Sequence, residues 1–159
     1  MKAVYPTKDI RPVKGSYVLL IELPEERTIA AGSLKDTHFQ SGYYAYVGSA
    51  MGGLRSRLSR HLRQNKRLHW HIDYLLEWAS VKDIVIYETE DRVECTIARA
   101  FSRRFNSVPG FGSSDCKCTS HLFFTGKGTG QEIIMVLNSL GMKPTLAQEM
   151  DCKAVYTEK

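Results

Sequence analysis

Branched and aromatic residues crowd the run SYVLLIEL, Ser16 to Leu23, between Gly15 and a stop at Pro24, and this pattern predicts a strand. Thr28 to Ser33 and Phe39 to Val47 read the same way, joined across Lys35 and Asp36, so an antiparallel meander is expected. The period then changes. After Gly48-Ser49 and the lead Gly52-Gly53, the leucines of LRSRLSRHLRQ at 54, 58 and 62 recur at helical spacing, with arginines on the outer side. His69 to Ala79, with Ile72, Leu75, Leu76 and Trp78, predicts a second helix, and IVIYE a strand. Val93, Ile97, Phe101 and Phe105 predict a third helix, with Asp91 as N-cap and Glu94 at capping-box distance. Asn106 to Ser120 reads as a Gly- and Ser-rich loop, HLFFTG as a final strand, and GQEIIMVLNSLGM as a closing helix capped by Gly141.

This order describes an α+β chain, a small antiparallel sheet flanked by helices. With 159 residues, 43% hydrophobic and 25% charged, one domain can bury a real core. The expected organisation is an arm over 1–14, a core unit over 15–126, and a helix and tail over 127–159 packed on the same domain. The N-terminal stretch MKAVYPTKDIRPVKG has no apolar centre for a secretory signal, and no run approaches the roughly 20 apolar residues of a membrane span. A cytoplasmic protein that does not engage membranes is expected.

Charge sharpens the picture. The net charge is +5, yet no acidic residue occurs from Ser41 to Ile72, where Arg55, Arg57, Arg60, Arg63, Lys66 and Arg67 are joined by His61, His69 and His71. A basic stripe on one element is the footprint of a polyphosphate partner, or simply a solvated helix face. On the first reading Arg55, Arg60, Arg63, Lys66, Arg67, His69 and His71 contact nucleic acid.

Gly15-Ser16-Tyr17 and Tyr46-Val47-Gly48, followed by L-R-S-R-L-S-R-H from Leu54 and by Glu94 and Asn106, resemble in order the motifs of the GIY-YIG endonucleases. YYAYVGSA, HWHIDYLL and FGSSDCKCTSHLF are similar to the stand-alone Uri-type branch. The resemblance implies Tyr17, Tyr46, Arg57, Glu94 and Asn106 as catalytic residues; His61, one turn beyond Arg57 on the same helical side, joins them as a donor to the leaving oxygen or to a phosphate. The resemblance also implies Glu94 as ligand to a single Mg²⁺ or Mn²⁺, and endonucleolytic hydrolysis of DNA, with RNA left open as a substrate, in repair or recombination. The stretch between the two tyrosines is longer than the family's, so an inserted hairpin is expected, and the C-terminal strand and helix form an extension. One additional residue, Gly52 or Gly53, leaves Arg57 or Arg55 to face the site.

The residue types suit this chemistry. Phosphodiester hydrolysis needs an activated water and positive charge around the phosphoryl oxygens. One carboxylate with several waters can hold a hard cation, and an arginine offers a planar fork that lysine lacks. Tyr17 or Tyr46 can act as base only if cation and arginine lower its pKa; otherwise they position water. Tyr44 and Tyr46 share one strand face, with Tyr43, Ala45 and Val47 on the other.

The four cysteines, Cys95, Cys116, Cys118 and Cys152, are too few for a secreted disulfide framework. Cys116-Lys117-Cys118 with His121 invites zinc, with Cys152, His69 or His71 as fourth ligand, against the simpler reading of buried thiols supporting a loop. Two rivals to the nuclease follow: a catalytically inactive nucleic-acid-binding module on the same scaffold, and a zinc-stabilised adaptor.

Overall fold

A computed structural model describes residues 13–126 and 130–147. Most of the expected arm and the end of the tail, including Cys152, lie outside the described residues. Strand β1 (Gly15–Leu23) is central, paired antiparallel with β4 (Gly42–Ala50) on one side and β5 (Ser80–Glu88) on the other. β7 (Leu122–Gly126) and β6 (Asn106–Ser107) extend the β4 edge, and β8 (Thr145–Ala147) extends the β5 edge. The six-stranded order is β6-β7-β4-β1-β5-β8.

β1 reads as an unbroken apolar run because both its faces are covered. Tyr17, Leu19, Ile21 and Leu23 pack with Tyr44 against the leucines of helix α1 (Leu54–Leu62) and against Ile72 and Leu75 of α2 (His71–Leu75). Val18 and Leu20 pack with Ala45 and Val47 against α3 (Glu94–Ser102) and α4 (Gly130–Ser139) on the opposite face. The strand alternation therefore holds as expected, Tyr44 and Tyr46 on one side and Tyr43 on the other. The structure is α+β, a small antiparallel sheet flanked by helices.

The inserted hairpin is a separate two-stranded unit, β2 (Arg27–Ile29) with β3 (Thr37–Phe39), which buries Ile29 and Phe39 in the α1-side core. It does not run on into β4 as the meander supposed: Gln40 and Ser41 separate the two strands, and Gly42, with a φ of 136°, turns the chain into β4.

Other boundaries moved for local reasons. The second helix is five residues rather than eleven: the Asp73 carboxylate accepts the backbone N–H groups of His69 and Trp70 and so caps its start, and at the other end the N–H groups of Trp78 and Ala79 both turn back to the Leu75 carbonyl. Asp91 is not the cap of α3: its N–H binds Thr89 Oγ1 in a turn, and the helix begins at Glu94 itself. The loop after α3 opens with the two-residue strand β6, and β8 was unforeseen, both too short to show a period. No described helix is long and apolar enough to cross a membrane.

Candidate functional site

A cleft of about 690 Å³ opens where the end of β4, the outer side of α1, the start of α3 and the loop at 112–115 meet. Tyr17, Tyr46, Arg57, His61 and Glu94 all line it, with Ser49, His69, Trp70, His71 and Arg92.

Tyr17 faces Gly48 across the β1–β4 ladder, and a Cβ at position 48 would lie 2.5 Å from the Tyr17 ring and hydroxyl. Only glycine lets the ring lie across β4, which explains why the two tripeptides occur together. The Tyr17 hydroxyl meets Nε2 of His61 at 2.6 Å. His61 sits on the leucine edge of α1, 3% exposed, seven positions after Leu54. Burial, reinforced by Lys66 and Arg57, lowers its pKa to about 3, so the ring is neutral. Its Nδ1 has no hydrogen-bond partner among the described residues.

Tyr46 lies edge-on to His61 and to Phe111. Burial raises both Tyr17 and Tyr46 above their ordinary pKa, and Arg57 offsets only part of this. Of the two routes open to the tyrosines, the guanidinium by itself does not lower either hydroxyl, because desolvation outweighs it, and both stand as phenols.

Ser49 joins the two charged groups. Its carbonyl accepts Arg57 Nη1 at 2.9 Å, and its hydroxyl donates to Glu94 Oε1. Glu94 Oε2 lies 3.2 Å from His121 Nδ1. The hydrogen bond from His121, helped by Ser49, holds the carboxyl below its usual range against the effect of burial, so it is ionised. With its side chain 26% exposed, Glu94 keeps lone pairs for a further partner. The Arg57 guanidinium also lies over the Trp70 ring, 4.5 Å from its centroid.

Behind Glu94 lies a second cluster. One ligand atom each from Cys95, Cys116, Cys118 and His121 fall within 4.8 Å of one another, a group able to hold a metal ion. The three cysteines are half-buried and His121 is buried. Burial pushes the Cys95 thiol up to about 12; it also acts to raise Cys118, but hydrogen bonding to His121 and the neighbouring thiols brings that group below its ordinary value. The sequence pointed to Cys152, His69 or His71 as fourth member; among the described residues Cys95, one residue after Glu94 on α3, takes that place, His69 and His71 belong to the cleft, and Cys152 lies outside the described residues.

The family model described as "Domain of unknown function DUF123" matches residues 16–142, most of the chain. The chain belongs to the DUF123 family. Neither the curated proteins nor the solved structures returned a match.

Several residues assigned from the sequence stand elsewhere in this DUF123 domain. Arg60 forms two hydrogen bonds, 2.8 and 2.9 Å, to the fully buried Asp73 carboxylate and lies over Trp70, so it braces the fold rather than facing a polyanion. Lys66 donates to the carbonyls of Arg60 and His61 at the end of α1. His71 stays in the cleft wall, but its Nδ1 accepts the Gly112 N–H at 2.8 Å, which puts the ring proton on Nε2, directed at Ser33 Oγ, 3.3 Å away. Each is held by a different partner: Arg60 by a buried carboxylate, Lys66 by the free carbonyls at the end of α1, and His71 by a backbone N–H of the loop at 112–115. Asn106 is exposed on β6 at the far edge of the sheet and does not line the cleft. Arg57, not Arg55, reaches it. Arg63, Arg67 and His69 are exposed, and of these only His69 lines the cleft. Sequence reasoning missed Ser49, Trp70 and Arg92, although Ser49 follows Gly48 of the second tripeptide, Trp70 stands between His69 and His71, and Arg92 comes two residues before Glu94.

Proposed function

We propose that this chain is a divalent-metal-dependent endonuclease of the GIY-YIG type, hydrolysing phosphodiester bonds in DNA. The observation that carries the reading is Ser49, which ties Arg57 and Glu94 to one residue at the mouth of a cleft that also holds Tyr17, Tyr46 and His61.

Glu94 fits a hydrated Mg²⁺ or Mn²⁺: it is ionised, partly exposed, and its two present hydrogen bonds leave acceptor capacity. Such an ion supplies an activated water and charge neutralisation at the phosphoryl oxygens. Arg57 spends one N–H on Ser49 and has others left to contact the phosphate. Neutral His61 fixes the rotor of the Tyr17 hydroxyl, and the phenols of Tyr17 and Tyr46 orient water rather than abstract its proton. Arg92 and His69, exposed at the rim, meet the neighbouring backbone charge.

The test is a panel of plain, branched and single-stranded DNA, with RNA alongside, incubated with and without Mg²⁺ or Mn²⁺. Arg57→Ala and Glu94→Ala should each lower metal-dependent nicking by about 10²–10³-fold, the scale for losing one stabilising group, with DNA binding largely intact. Undiminished cleavage by both variants refutes the assigned roles. Salt-sensitive binding with no metal-stimulated product from the native chain would identify a non-catalytic binding module instead.

A further inference from the structure

We propose that Cys95, Cys116, Cys118 and His121 bind one structural zinc ion, and that His121, ligating through Nε2, holds Glu94 in place through Nδ1. The metal site stands on its own geometry; its consequence for the cleft rests on the nuclease reading of Glu94.

Three thiols and one imidazole form a soft, borderline donor set, which favours zinc over Mg²⁺ or Ca²⁺ and closes a tetrahedral site without a water. The spacing agrees. With Zn–S of about 2.3 Å and Zn–N of about 2.0–2.1 Å, tetrahedral geometry sets the sulfur-to-nitrogen separation at about 3.6 Å. Nε2 of His121 lies 3.5 Å from Cys116 Sγ and 3.9 Å from Cys95 Sγ. All four ligand atoms stay within 4.8 Å of one another, so an ion can reach them with small side-chain adjustments.

The two nitrogens of His121 face different partners. Nε2 points to the thiols, and Nδ1 lies 3.2 Å from Glu94 Oε2. A neutral imidazole that donates from Nδ1 to a carboxylate leaves its Nε2 lone pair for a metal, the arrangement that orients many metal-bound histidines. Here the outer partner of the imidazole is the carboxylate that lines the cleft. Zinc would also tie the first turn of α3, through Cys95, to the loop that carries Cys116 and Cys118 and brings Gly112 and Asp115 to the cleft wall. The Cys116-Lys117-Cys118 spacing, too tight for a usual paired-cysteine knuckle, becomes workable because His121 follows at the end of the same loop and Cys95 arrives from α3.

Elemental analysis of the full chain, purified under reducing conditions, should give one zinc per chain. After zinc is stripped with a chelator, titration with Co²⁺ should saturate at one equivalent with the intense absorption of thiolate-bound tetrahedral cobalt. Glu94→Gln should keep its zinc, whereas Cys116→Ser and Cys118→Ser should lose it; if those serine variants do not fold, the cobalt titration of the native chain decides. Metal-free protein that takes up neither ion, or that holds its thiols as a disulfide in the reduced preparation, overturns the site. For the coupling, Mn²⁺ affinity is compared between zinc-loaded and folded zinc-stripped chain, with a 10–100-fold weakening expected on stripping, as for loss of a supporting partner. Equal Mn²⁺ affinity in the two forms overturns the coupling and leaves the zinc site standing. No Mn²⁺ binding in either form overturns the coupling together with the nuclease reading, again without touching the zinc result.

Discussion

Replacing Arg60 with alanine separates a structural arginine from a nucleic-acid contact. The Asp73 carboxylate is fully buried, and it accepts Nη1 and Nη2 of Arg60 as well as the N–H groups of His69 and Trp70. Burial alone would raise its pKa, but Arg60 and the two backbone donors hold it below the ordinary carboxylate range. Removing one partner of a buried pair costs about 3–5 kcal/mol, because the remaining charge is left uncompensated. The two backbone donors persist in the variant, so the lower end, about 3 kcal/mol, is expected, together with the lost stacking on Trp70. At about 2–4 °C per kcal/mol for a chain of this size, the melting temperature should fall by about 6–12 °C.

Urea unfolding at pH 7, followed by tryptophan fluorescence, measures the loss, with Arg63→Ala, at an exposed position, as a control expected within about 0.5 kcal/mol of the native chain. The pH dependence adds a signature. A carboxyl depressed in the folded state contributes stability that is present above its unfolded pKa, near 3.9, and is lost as pH falls through the folded value. The Arg60→Ala deficit should therefore be full at neutral pH and shrink in acid. Equal midpoints for Arg60→Ala and Arg63→Ala at pH 7 would refute the reasoning.

Gly48→Ala forces a methyl against the Tyr17 ring and hydroxyl, so it should cost about 1–3 kcal/mol in thermal or urea unfolding; a neutral result would mean that the ring does not cross β4 as described. His61 is neutral when folded, with a pKa of about 3 against an ordinary 6.5, so the unfolded chain takes up a proton first as pH falls. Its contribution leaves stability unaffected above pH 6.5 and lowers it by up to about 5 kcal/mol between 6.5 and 3; His61→Asn should remove close to one proton from the slope of stability against pH in that window. Lys66→Met and Arg92→Ala should behave oppositely. The first loses about 0.5–1.5 kcal/mol of stability with the salt dependence of DNA binding unchanged, and the second lowers that salt slope by about one with stability unchanged.

What the sequence determined by itself was periodic or strictly local. The alternation of β1 and β4, the leucine edge of α1 and the hydrophobic repeat of α3 were legible because a strand or helix imposes its period on whichever residues face the core. The ordered motifs likewise pointed to Tyr17, Tyr46, Arg57, His61 and Glu94, which share one cleft. Tertiary structure alone decided which charges were free and which groups met. Arg60, Lys66 and His71 look like neighbours of Arg63 and Arg67 in the chain, but a buried carboxylate, two carbonyls and a backbone N–H claim them. The state of the two phenols depended on their desolvation, and Cys95 joined Cys116, Cys118 and His121 only because α3 packs beside their loop. Hydrogen-bond partners and dielectric surroundings are set by through-space distances, which no periodicity along the chain encodes.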